Sequence, residues 1–116
     1  MPSRTYQLFA EAMAARRPVV CMYDGYPCAI CPIILGHSKG AEKALIFQFD
    51  GLGSKGPVRG DWRCLELDKV SHAELIDGPW HPGQRHSQAQ KCVGGVDLDV
   101  TRTAHTIRSG GSRRSR

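Results

Sequence analysis

The chain has 116 residues and a formal net charge of +5, with 41% hydrophobic and 23% charged side chains. That length holds one modest core, the balance of residues excludes wholesale disorder, and no apolar run is long enough to span a membrane. Five cysteines without an apolar leader in Met1-Pro2-Ser3-Arg4-Thr5-Tyr6-Gln7-Leu8-Phe9 lead to an expectation of a cytoplasmic protein with reduced thiols and no disulfide framework.

The charge is uneven. No acid follows Asp99, whereas Arg102, Arg108, Arg113, Arg114 and Arg116 do, and the first hundred residues hold eleven charges of each sign. The basic character therefore belongs to a tail, residues 101–116, rather than to a face of the fold. Ser109-Gly110-Gly111-Ser112 within it reads as flexible and solvated. Residues 1–100 are expected to form a single domain, divided into a helix (3–17), a barrel core (18–80) and a loop with a short strand (81–100).

Ser3 is placed to cap a helix running to about Arg17, in which Tyr6, Phe9, Ala10 and Met13 make one apolar stripe. Arg16 and Arg17 suit its last turn, and Pro18 closes it. Val19–Tyr23 reads as a strand, and Asp24-Gly25 before Tyr26 is a two-residue hairpin signal. The return strand, Tyr26 to about Leu35, contains Pro27 and Pro32, which make it an edge strand or bend it at a bulge. Gly36–Gly40 reads as a loop and Ala44–Phe49 as the next strand. A glycine-rich connection, Asp50–Asp61, leads into Trp62-Arg63-Cys64-Leu65-Glu66-Leu67-Asp68-Lys69-Val70. After a kink near Asp68-Lys69, Val70–Ile76 continues the sheet and Asp77-Gly78-Pro79 ends it. Residues 81–95 read as loop, and Val96–Val100 as one further short strand. One helix followed by about five short, closely linked strands predicts a mainly β fold, a small bent antiparallel barrel.

Period two places Arg63 on the face of Leu65 and Leu67. A cation at the rim of an apolar face either snorkels to solvent or meets an anion. This is the main candidate site, with Tyr23, Tyr26, Lys69 and His37 expected to line the approach.

The helix ending in two arginines, Tyr23-Asp24-Gly25, Cys31-Pro32-Ile33-Ile34-Leu35-Gly36-His37, Phe49-Asp50, the Trp62–Val70 segment and Asp77-Gly78-Pro79-Trp80 follow one another in an order that resembles the WYL domain, over roughly residues 8–80. The resemblance implies an Sm-like β-barrel that senses a nucleotide or single-stranded nucleic acid in bacterial transcription regulators, with Arg63 as the anion contact. The chain departs from the pattern in two ways. Ala44-Leu45-Ile46 stands where the family carries Trp-Tyr-Leu, and too few residues precede the barrel for a helix-turn-helix.

Other constellations are weaker. Cys28-Ala29-Ile30-Cys31 lies in a strand-like run rather than a metal-binding turn or a redox helix start, so buried structural thiols are expected. His81, His86 and Cys92, with Cys31 or Cys64, would complete a zinc set, but His-x4-His-x5-Cys is no known ligand frame. There is no Gly-x-Ser-x-Gly elbow, His-Glu-x-x-His or phosphate loop, so catalysis is not expected. The expectation is a non-catalytic module binding an anionic small molecule or single-stranded nucleic acid, without a cofactor. The alternatives are a zinc-stabilised structural or adaptor domain, and a barrel that binds a protein partner through its edge strand.

Overall fold

A computed structural model of the chain describes residues 2–82 and 92–100. The basic tail, 101–116, and part of the predicted loop, with His86, lie outside the described residues.

Helix α1 spans Arg4–Ala15, and the Oγ of Ser3 caps it by accepting the Tyr6 N–H at 3.1 Å. It ends two residues earlier than expected because Arg16 turns left-handed, with φ of 55°. The Arg16 guanidinium folds back to donate to the Met13 carbonyl, which a helix end leaves without a partner. Phe9, Ala12 and Met13 are the buried face.

Among the described residues seven strands follow: β1 (Val19–Tyr23), β2 (Tyr26–Ser38), β3 (Ala41–Gly53), β4 (Gly56–Pro57), β5 (Asp61–Glu66), β6 (Val70–Leu75) and β7 (Gly95–Asp99). A single 3-10 turn, Leu67–Lys69, lies between β5 and β6 at the predicted kink. Asp24-Gly25 makes the β1–β2 turn with both φ values positive, as a two-residue hairpin demands. Lys39-Gly40 makes the β2–β3 turn in the same way, so the expected loop at 36–40 is mostly strand.

Of the two expectations for the prolines of β2, the edge strand is corrected, whereas a register irregularity does occur beside Pro32. The strand pairs along one side with β3, and along the other with β1 and then β7. The prolines fit because of where they fall. Pro27 precedes the first β2–β3 pair, Cys28↔Gly51. Pro32 lies between the last β1 pair, at Ile30, and the first β7 pair, at Ile34, beside a register shift. Neither position requires a missing N–H to complete a ladder on both sides.

β6 returns to pair with β1, so the antiparallel sheet curls into a half-barrel. Ile30, Ala44, Ile46 and Leu65 join Phe9, Ala12 and Met13 of α1 in the main core. Cys31, Ile33, Leu45 and Val93 are also buried, and period two assigns Cys31 and Leu45 to the opposite face of the sheet from Ile30, Ala44 and Ile46. Val93 sits over Gly36, where a Cβ would come within 2.7 Å of its Cγ1 and 2.0 Å of the Gly95 carbonyl oxygen. Among the described residues no helix is long and apolar enough to cross a membrane.

Candidate functional site

Period two carries Arg63 from β5 towards the inner face, where it meets a residue that the sequence reading passed over. Gln48, on the neighbouring β3, is fully buried. Its Nε2 donates to the carbonyls of Asp50 (3.2 Å) and Leu52 (3.3 Å), and its Oε1 accepts from Arg63 Nη1 at 2.6 Å. The guanidinium lies over the Tyr23 ring, 5.6 Å from its centroid, a cation–π arrangement. The Tyr23 hydroxyl in turn accepts the Glu66 N–H at 3.0 Å.

Lys69 joins this group through the backbone and through Glu66. Its carbonyl accepts the Asp24 N–H, and its ammonium pairs with Glu66 at 3.1 Å. The Glu66 hydrogen bond and charge hold that exposed ammonium above its ordinary range. Tyr26 is the register partner of Tyr23 and is partly exposed.

Arg63, Tyr23, Tyr26 and Lys69 thus come together near the β1–β2 turn, and His37 does not join them. It sits near the far end of the 13-residue β2, where its Nδ1 lies 3.0 Å from Asp97 and its ring stacks on Tyr6. At roughly 3.3 Å per residue, that is more than about 30 Å along the strand from Tyr26.

A guanidinium offers five N–H donors and one positive charge. The ion pairs found among the described residues join Arg17 to Asp77, His37 to Asp97 and Lys69 to Glu66. Arg63 is in none of them; its hydrogen-bond acceptor, Gln48, is neutral. A half-buried cation beside an amide and an aromatic ring suits an incoming anionic group. Two hollows lined by described residues, of about 360 and 470 Å³, lie elsewhere, and Arg63 lines neither of them.

The cysteines depart from the sequence reading. Cys64 and Cys92 form a disulfide with Cα atoms 5.5 Å apart, which corrects the expectation of reduced thiols throughout. It also removes both residues from the zinc set, since a bonded sulfur supplies no thiolate. The remaining described members are occupied otherwise. Cys31 accepts the His81 N–H at 3.3 Å, and the His81 ring stacks on Phe49 at 4.0 Å. Burial pushes the Cys31 thiol up to about 11, with the His81 hydrogen bond opposing it. Among the described residues no three His, Cys, Asp or Glu side chains converge to hold a metal.

No protein-family model matches the chain, and neither the curated proteins nor the solved structures provide a match.

Proposed function

We propose that the chain is a non-catalytic ligand-binding or regulatory module whose Arg63 receives an anionic group, of the nucleotide or single-stranded nucleic acid class. The observation that carries this reading is the pairing of a half-buried guanidinium with a neutral amide instead of a carboxylate. None of the ion pairs among the described residues neutralises this guanidinium, so its charge is left for an incoming anion. The guanidinium lies over the Tyr23 ring, and near the turn the Lys69 ammonium, paired with Glu66, flanks the approach. The Sm-like reading, and with it the likeness to the WYL domain, is supported by β6 turning back through a 3-10 turn to pair with β1.

The test is a titration of a short single-stranded oligonucleotide and of nucleotides into the full chain and into a version ending at Val100, at low and high salt. Both versions should bind. Arg63→Ala should lower affinity roughly tenfold to a hundredfold, since hydrogen bonds to a charged group contribute about 1.5–3 kcal/mol. Equal affinity in Arg63→Ala would sink the assignment. Binding by the full chain alone, abolished by salt, would transfer the activity to the tail arginines.

A further inference from the structure

Cys21 and Cys28 are register partners in the β1–β2 hairpin, each only 5% exposed, with their Sγ atoms 3.4 Å apart. Outward from the turn the pairs run Tyr23↔Tyr26, Met22↔Pro27 and Cys21↔Cys28. Hydrogen-bonded and non-hydrogen-bonded pairs alternate in such a hairpin, and a two-residue turn closes on the former. The cysteines therefore occupy a hydrogen-bonded position, where Cα atoms lie about 5.5 Å apart. That separation falls within the range a disulfide spans.

The ladder on the far side is interrupted at Cys21 and irregular two residues from Cys28. β1–β6 pairing jumps from Val20↔Glu74 to Met22↔Ser71, leaving Cys21 without a register partner on β6. The β2–β3 register shifts between Ala29 and Ile30, just past Cys28. Bulges leave residues unpaired and weaken the local ladder, so this end of the hairpin opens at lower cost than the sheet as a whole. Cys31 is no competitor, because its sulfur accepts the His81 N–H and lies on the other face.

We infer that Cys21 and Cys28 form a redox-active dithiol site whose oxidant is a low-molecular-weight disulfide of the glutathione class. Cys28 is the attacking sulfur. The hydrogen bond shared with Cys21 lowers its pKa, burial opposes this, and the nearby Arg63 charge assists; the same hydrogen bond and burial raise that of Cys21. The Cys28 thiolate attacks one sulfur of the oxidant, the oxidant's S–S bond breaks, and one thiol leaves. Cys21 then gives up its proton and attacks the Cys28 sulfur, breaking the mixed disulfide and releasing a second thiol. Two protein thiols become one disulfide, and one small disulfide becomes two thiols. None of this requires a ligand at Arg63.

The experiment equilibrates the full chain with glutathione mixtures from strongly reducing to strongly oxidising. Samples are acid-quenched, unfolded, labelled with a maleimide and weighed intact, and a peptic map locates any new bond. Cys21, Cys28 and Cys31 are the free thiols, so three labels are expected at reducing ratios that leave Cys64–Cys92 bonded, and five where that bond is opened as well. One label is expected at the oxidising end, lost in a single two-thiol step, with the new bond mapped to Cys21–Cys28 and reversed by reduced glutathione. Cys21→Ser should retain one glutathione as a mixed disulfide, and Cys28→Ser none. Three labels at the most oxidising ratio, one label at the most reducing ratio, or a bond mapped to Cys31 overturns the proposal using the unmutated chain alone.

Discussion

A buried amide left without partners costs roughly 1–3 kcal/mol, and Gln48 avoids that cost by using both ends of its side chain. Replacing it by leucine would strand two carbonyls and an arginine N–H together. Gln48→Leu is expected to lose about 2 kcal/mol, read as a lower urea midpoint with an unchanged slope. Gln48→Glu should instead place a carboxylate against Arg63, and in the same titrations its affinity for anions should fall towards that of Arg63→Ala. Nothing in Ala44-Leu45-Ile46-Phe47-Gln48-Phe49 reveals this role, because the partner that requires an amide stands on another strand. The Tyr6 hydroxyl is a second case of a role fixed across the fold. It donates to Asp97, and its pKa is pushed up to about 12 by burial, by that hydrogen bond and by the charges of Asp97 and Glu42. The protonated form is the one the fold favours, so its contribution is complete below the unfolded value near 10 and is lost as pH rises from there through 12. Tyr6→Phe should remove one high-pH step from the ultraviolet tyrosinate titration and flatten stability over that window.

Strands and turns were more legible than side-chain partnerships. Asp24-Gly25 specified the first hairpin, and its register also pairs Cys21 with Cys28, a consequence readable by counting back from the turn. The central place of β2 was hidden because Pro27 and Pro32 ordinarily mark an edge, and only the positions of β1, β3 and β7 make them harmless. Cys64 and Cys92 were grouped as metal ligands and are bonded directly; a separation of 28 residues follows no spacing rule that distinguishes the two outcomes. That bond ties the C-terminal segment to β5. The chain-entropy model assigns a loop of this size about 3.5 kcal/mol. Changing both residues to serine should therefore lower unfolding free energy by roughly 2–4 kcal/mol in urea titrations, while the α1 and β1–β2 signals in circular dichroism and nuclear magnetic resonance persist.

Considered whole, the described part of the molecule is a curled sheet with α1 packed on its inner face, and its outer face is buried around Cys31, Ile33 and Leu45, with Val93 over Gly36. Alternating polar and apolar positions describe a sheet covered on one side, and the mostly apolar Cys31–Leu35 run departs from that pattern because both of its faces are buried. β2 bears the greatest share of this arrangement, with strands along both edges and packing on both faces. Its amide hydrogens can reach solvent only when neighbouring strands separate. Those of Ile30 and Leu35 should exchange with deuterium at the rate set by global unfolding, whereas β4 and the tip of the first hairpin exchange through small local openings. The strand that its two prolines disguise as an edge would then be the last part of the protein to acquire deuterium.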